Sequence, residues 1–378
     1  MKRSTTRILT THAGSLPYAD DVAPTSDGEL RRAVADIVAG QRGLGLDLIN
    51  EGEYTKGGDW LSFADDRFAG FEVRDATDEK PLIAQGRDRA EFDAFYRYAT
   101  DRGTLFYTAG GQVSARRLRW VCTGPISYAG HEQLRREIEI LRACDPGEDA
   151  FLTSTAPASL EVYRANAFYG TDTEYLYALA DALRVEYELI VEAGFVLQVD
   201  DAWLPALWDR IGIEMGLEAF RERCRTRVQA LNHALANIPE ERVRYHMCWG
   251  SWHGPHAHDL ELVHLADVLL EVKAQAYLIE GANARHEHEW AVWRDVRLPE
   301  GKILIPGVVT HSTDVVEHPD LVAQRIRNYT RLVGNERVIA GTDCGFGTRA
   351  GGGLVAPSVM AAKFTSMVEG ARRASAAG

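Results

Sequence analysis

The chain has 378 residues, 46% hydrophobic and 26% charged, the usage of a globular protein with enough chain for a large core. Its formal net charge is −13 and its Lys and Arg residues are scattered, which argues against nucleic acid and anionic membrane as partners. The basic start, residues 1–7, is followed by no apolar run, and nowhere is there a stretch of about 18 apolar residues. A cytoplasmic location is therefore expected, where five cysteines read as free thiols, packing or ligands rather than a disulfide framework.

In chain order, 7–12 and 46–52 read as strands, and 55–117, rich in Asp, Arg and Gly, as an insertion in which 104–114 forms one arm of a hairpin leading into 118–127. Further apolar runs at 149–156, 194–201, 243–249, 276–281, 302–310 and 337–344 follow, with amphipathic stretches such as 174–193, 217–237 and 319–333 between the later ones. This alternation predicts an α/β fold, a (β/α)8 TIM barrel decorated by a hairpin or insertion near residues 55–117, forming one domain over 1–378. The strand candidates exceed eight, so one is surplus; 149–156 or the first segment is the expected one.

Reactive side chains fall at the ends of these runs: Asp200 and Asp201, His246 and Cys248, Glu280, His311, and Cys344. In a barrel, strand ends converge on the face that carries active sites. His246 and Cys248 are two apart on a strand and point to the same side; alone, the pair reads equally well as buried core. Cys344 lies in the Gly-rich exit Gly341-Thr342-Asp343-Cys344-Gly345, an odd place for a packing cysteine. Two thiolates and an imidazole suit Zn2+, with Glu280 as an oxygen-donating fourth ligand. Coordination deprotonates a thiol outright, so the expected chemistry is activation of a thiol for attack on an electrophilic carbon, with His311 protonating the leaving group. The competing reading of His311 is a cap for the helix that follows.

Asp200 suits the gripping of an ammonium group. His253, His256 and His258 read as loop residues, and the tract Arg285-His286-Glu287-His288-Glu289 as a solvated helix face. Cys122, Cys144 and Cys224 have no ligand-type neighbours.

Taken together the motifs resemble the zinc-bearing catalytic barrel of cobalamin-independent methionine synthase. The blocks are Thr11-His12-Ala13-Gly14-Ser15-Leu16-Pro17, Asn50-Glu51-Gly52-Glu53, Gln198-Val199-Asp200-Asp201, His246-Met247-Cys248, Ile279-Glu280, Thr310-His311-Ser312 and Asp343-Cys344-Gly345. The resemblance implies zinc ligands His246, Cys248, Glu280 and Cys344, a proton relay at His311, and a homocysteine site formed by Gly14, Ser15, Glu53 and Asp200. It implies methyl transfer to a small-molecule, homocysteine-like thiol from an alkyl donor. The chain departs from the family in having no room for a second, N-terminal barrel, in Asp201 where Glu is expected, and in lacking a tryptophan after Gly124-Pro125. Two alternatives stay open: addition of a zinc thiolate to an epoxide, as in the related epoxyalkane:coenzyme M transferases, and a non-catalytic zinc-binding homologue. Retention of Glu53 and Asp200 favours an amino-acid thiol, since two carboxylates repel a sulfonate and pair with an ammonium. The donor and the oligomeric state leave no trace in the sequence.

Overall fold

Seven parallel strands make the wall of a barrel in the computed structural model, which describes residues 1–19, 22–57, 61–76, 82, 85–102, 118–250, 254–347 and 355–376. They are β1 (Leu9–Thr10), β4 (Phe151–Thr155), β6 (Val196–Asp201), β7 (Val243–Met247), β8 (Ala276–Ile279), β9 (Ile303–Val309) and β10 (Ile339–Thr342). The order is β1-β10-β9-β8-β7-β6-β4. The gap between β1 and β4 is spanned by residues 46–52, which form no regular ladder. The carbonyl of Thr10 accepts the N–H groups of Asp47 and Leu48 at 3.0 and 3.2 Å, and the Ile49 carbonyl accepts from Phe151 at 3.1 Å. The eighth stave is thus present but irregular, and the expected (β/α)8 barrel closes through it.

The surplus strand is neither 149–156 nor the first segment. It is β3 (Leu118–Tyr128), which pairs antiparallel with β2 (Phe68–Asp75) and parallel with β5 (Arg164–Asn166) in a separate three-stranded sheet. Burial explains the exchange. Every residue of β4, β7, β8 and β9 is buried, as both faces of a barrel strand must be, whereas β2 is largely exposed. The hydroxyls that make β4 look unfit for a core are satisfied there: Ser154 donates to Glu186 at 2.7 Å and Thr153 to Glu53 at 2.9 Å. The hairpin arm opposite β3 is 68–75; segment 104–114 lies outside the described residues.

Crossover helices begin at sequence-encoded caps. Thr171 and Glu174 form a reciprocal capping box at the start of helix Asp172–Glu192, and Pro319 opens helix Pro319–Val333 behind His318, whose Nδ1 caps Asp320 N. His318, not His311, is therefore the cap of that helix. Alternation along the barrel strands turns Tyr245 and Met247 toward the helices and leaves Ala276, Leu278, Ile303, Ile305 and Ile339 as a small inner cluster. The Arg244 guanidinium, fully buried, donates to Thr11 Oγ1 and the His12 carbonyl at 2.9 and 2.7 Å over the Phe151 ring. No helix among the described residues is long and apolar enough to cross a membrane.

The insertion is pinned to the barrel by buried charge. Arg67, just before β2, bonds Glu186 of helix Asp172–Glu192 at 3.0 Å and pairs with Glu137 of helix His131–Ala143, which also holds Lys56 at 3.2 Å. Arg67→Met leaves two buried carboxylates short of a partner and is expected to destabilise the fold by about 3–5 kcal/mol. An unchanged urea midpoint would contradict that role.

Candidate metal centre and substrate pocket

Strand parity carries the centre. On β7, Arg244, His246 and then Cys248 face inward; on β8 the inward series Ala276, Leu278 leads to Glu280; on β9 Ile303, Ile305, Gly307 and Val309 lead to His311. Parity alone would put Asp343 rather than Cys344 inside. The β9–β10 register shifts between Gly341 and Thr342, and past that irregularity Cys344 joins the others.

His246, Cys248 and Cys344 are all buried, and their ligand-type atoms lie within 4.8 Å of one another. His246 Nδ1 pairs with Asp200 Oδ1 at 2.8 Å, which turns Nε2 inward; Nε2 is buried with no oxygen or nitrogen partner among the described residues. Burial disfavours the imidazolium, but the Asp200 carboxylate and Cys344 outweigh it and hold the His246 pKa up at about 10. The two cysteines divide their proton unequally. The hydrogen bond from Cys248 pulls Cys344 well below the ordinary thiol range against the effect of burial, with His246 and His311 assisting, while the same partner and burial push Cys248 well above it.

Glu280 stands beside this group and outside it. Its Oε1 accepts Trp249 N at 2.9 Å, and its Oε2 accepts Asn283 Nδ2 at 2.7 Å and Arg285 Nη2 at 2.9 Å. Asp343, against which a side chain at Gly307 would collide, accepts the N–H groups of Gly281 and Ala282, both at 2.8 Å, and Asn283 Nδ2 at 3.0 Å. His311 is 4% exposed, and neither ring nitrogen has a hydrogen-bond partner among the described residues.

Glu53 sits in the left-handed region, φ 61°, which aims its carboxylate at the mouth. Gly14, φ 132°, comes so close to Glu53 Oε1 that a side chain there would collide with it. The Ser15 carbonyl accepts Phe346 N at 2.8 Å, and Leu16 N donates to the Gly52 carbonyl at 3.0 Å. The loop of Gly14 and Ser15 thus lies between the Glu53 turn and the exit that carries Cys344. Burial, and then the Asp200 carboxylate, push the Glu53 pKa up to about 8 against the effect of nearby Lys56. Asp200 lies near Glu53 and bonds His246, and Gln198 Nε2 donates to its Oδ1 at 2.8 Å. Asp201 takes no part: it points into the wall, bonded to Ser159, Tyr245 and Leu204 N.

The tract 285–289 is not a solvated face. His286 and Glu289 are buried and bonded to each other at 2.8 Å, and only His288 of the five is exposed. His256 is buried against Asp259 at 3.0 Å, His258 pairs with Glu91, and His253 lies outside the described residues. Sequence reasoning missed the roles of Asn283, Arg285, Asp259 and Thr153; the first three lie in loops beyond strand ends, and Thr153 lies within β4.

The fold and cluster define a class, a (β/α)8 barrel with a buried His–Cys–Cys group at the C-terminal ends of its strands. Among solved structures this fold is shared with a B12-independent methionine synthase from Shewanella sp. W3-18-1 in complex with selenomethionine, at a TM-score of 0.66 and 16% identity over 97% of each chain. It is shared equally with a putative vitamin-B12 independent methionine synthase from Listeria monocytogenes, at a TM-score of 0.64 and 17% identity over 97% of this chain and 98% of that one. In sequence, the chain is similar to a methionine synthase of Saccharolobus islandicus, 25% identical over 226 residues, 58% of this chain and 57% of the relative; the match thus spans little more than half of that relative's length. A methionine synthase of Sulfolobus acidocaldarius is 20% identical over 89% of this chain and 80% of its own. No family model matches. The chain is thus similar in sequence to methionine synthases and in fold to B12-independent methionine synthase barrels.

The raised Glu53 pKa makes a signed prediction. Its ordinary value is 4.5, so between about pH 4.5 and about pH 8 the folded state keeps a proton that the unfolded chain has released, and stability falls as pH rises through that window. Glu53→Gln is expected to raise the thermal midpoint at pH 8.5 and to change it little at pH 5. An equal shift at both would contradict the placement of an uncompensated carboxylate there.

Proposed function

We propose that the protein is a zinc-dependent transferase that alkylates a small thiol, with transfer of a methyl group to homocysteine as its reaction. The observation that carries this reading is the buried His246–Cys248–Cys344 group at the strand ends, set beside the Glu53–Asp200 carboxylates. The donor set fits zinc: an imidazole nitrogen without an oxygen or nitrogen partner and two buried thiols, one already favouring the thiolate. When bound there, zinc supplies the positive charge that keeps a thiol deprotonated and nucleophilic at neutral pH.

The chain's own residues supply the rest. Asp200 fixes the His246 tautomer and ring direction through the Nδ1 hydrogen bond. Burial and the Asp200 carboxylate keep the proton on Glu53 in the empty site, so the ammonium of an amino-acid thiol favours release of that proton, pairs with both carboxylates and fixes the substrate's orientation. A sulfonate would be repelled by Asp200, and this is why homocysteine is preferred here to coenzyme M. As sulfur attacks the donor carbon, the S–C bond forms, the bond from that carbon to the leaving group breaks, and the leaving group takes a proton from His311, whose ring nitrogens have no other partner.

Three outcomes test the reading. Purified protein should carry about one zinc per chain, and Cys344→Ser should lose most of it by elemental analysis; full retention would remove the basis of the site. His311→Asn should keep the metal and slow turnover by about 10²-fold; an unchanged rate would end its role as acid. Incubation of homocysteine with a panel of methyl donors, read by mass spectrometry, should give a thioether. Product from coenzyme M and an epoxide, with none from homocysteine, would contradict the proposal.

A further inference from the structure

We propose that a cleft beside Tyr54 is a second binding site, for an α-amino acid with an apolar side chain, and that its occupancy is felt at Glu53; the link to Glu53 rests on the substrate reading above. The cleft, about 580 Å³, opens between residues 22–25 and helix Asp27–Gly43, with the rings of Tyr18 and Tyr54 on its buried side. That is the volume of a small-molecule site. Ala33 and Ile37 of the helix and Pro24 give it apolar walls, and Val22, which also lines it, is exposed.

The charges on the helix point to the ligand. Asp27 pairs with Arg31 and Arg136, Glu29 accepts Thr25 N and Oγ1 at 2.8 and 2.7 Å, and Arg42 bonds the carbonyls of Cys144 and Asp145. Arg32 and Asp36 both line the cleft, and among the described residues no side chain bonds either of them; Arg32 gives only Nε, to the Gly28 carbonyl at 3.3 Å. Residues four apart on a helix share a face, with Cβ atoms about 5–6 Å apart. That spacing takes a carboxylate and an ammonium carried on one carbon, and the apolar walls take the side chain. A lone anion would be repelled by Asp36 and Glu29, and a lone cation by Arg32.

Tyr54 joins the cleft to the substrate pocket. Its ring lies against Tyr18, 4.4 Å between centroids, its hydroxyl donates to the Pro17 carbonyl at 2.7 Å, and a side chain on Gly52 would meet it at 3.1 Å. It is thus wedged between the Gly14–Pro17 loop and the turn of Glu53. Glu53 keeps its left-handed backbone only through its surroundings, so a ligand that shifts Tyr54 loosens the grip on the substrate. The thioether amino acid made by the proposed reaction belongs to the class that the cleft takes, so product in the cleft would weaken thiol binding.

L-Norleucine, which has no sulfur to alkylate, is the probe. In equilibrium dialysis, Ala33→Trp, which fills the cleft, should lose one bound equivalent per chain relative to wild type, and Arg32→Gln and Asp36→Asn should each weaken that equivalent about 5-fold, with circular dichroism unchanged. No binding, or binding that all three substitutions leave unchanged, would overturn the site. In turnover, norleucine should raise KM for homocysteine more in wild type than in Ala33→Trp; an equal rise in both would be competition in the substrate pocket and would overturn the link to Glu53. No thioether from any donor, with one norleucine equivalent still dependent on Arg32 and Asp36, would remove the proposed function and leave the site standing.

Discussion

The Asp343 carboxylate accepts the N–H groups of Gly281 and Ala282 and the amide of Asn283, and in doing so ties the exit of β8 to the exit of β10. Glu280 precedes one end of this tie and Cys344 follows the other. A buried carboxylate is tolerable only if its lone pairs are satisfied, and here the donors are two backbone groups and one side chain that also holds Glu280. The space for it exists because Gly307, the facing residue on β9, has no side chain. With Asp343 N on the Val309 carbonyl, Thr342 Oγ1 on the Cys344 carbonyl and Phe346 N on the Ser15 carbonyl, the tie fixes the height of Cys344 relative to His246 and Cys248. The His–Cys–Cys group is thus held in part by a carboxylate that is not a member of it.

Around that constraint the site divides its acidic residues by role. Asp200 is shared between His246 and the pocket, Asp201 is spent on the wall, Glu280 is engaged by Arg285, and Glu53 is left to face Asp200 across the mouth. Each carboxylate has a defined partner, Glu53 in Thr153 and Asp200 in Gln198 and His246, but burial and the Asp200 carboxylate keep Glu53 protonated toward pH 8, and ionising it costs the protein stability. The insertion contributes from outside: the buried Arg67–Glu137–Lys56 group anchors the chain just beyond the Glu53 turn, so a residue in the left-handed region is held by its surroundings rather than by its own preference.

Much of this was legible in the sequence because period and chemistry coincide. The residues at the ends of the runs 194–201, 243–249 and 302–310 were marked both by inward parity and by reactive type, and the helices expected at 174–193, 217–237 and 319–333 fall within a few residues of those described, while helices Asp27–Gly43, His131–Ala143 and Pro357–Ser375 were not foreseen. What was not legible depended on three-dimensional satisfaction. Phe151–Thr155 carries Ser and Thr that argue against a core strand until Glu186 and Glu53 are seen to bond them. Residues 46–52 close the barrel through single hydrogen bonds rather than a ladder, which no alternation encodes. The tract 285–289 has the composition of a surface helix, and its burial follows from Asp259, Glu289 and Trp249, which are brought together only by the loops. Glu280 is the clearest case. Its residue type and strand-end position mark a candidate ligand, but its hydrogen-bond partners Asn283 and Arg285, three and five residues further on, are seen only in the structure.

The account rests on a metal group that accepts a thiol, and zinc-edge X-ray absorption of the wild-type protein, recorded with and without homocysteine, tests it most directly. The two cysteines of the cluster predict two sulfur neighbours in the free protein and one more when homocysteine is added. An unchanged sulfur count on addition of saturating homocysteine would contradict a thiol-activating role for the site.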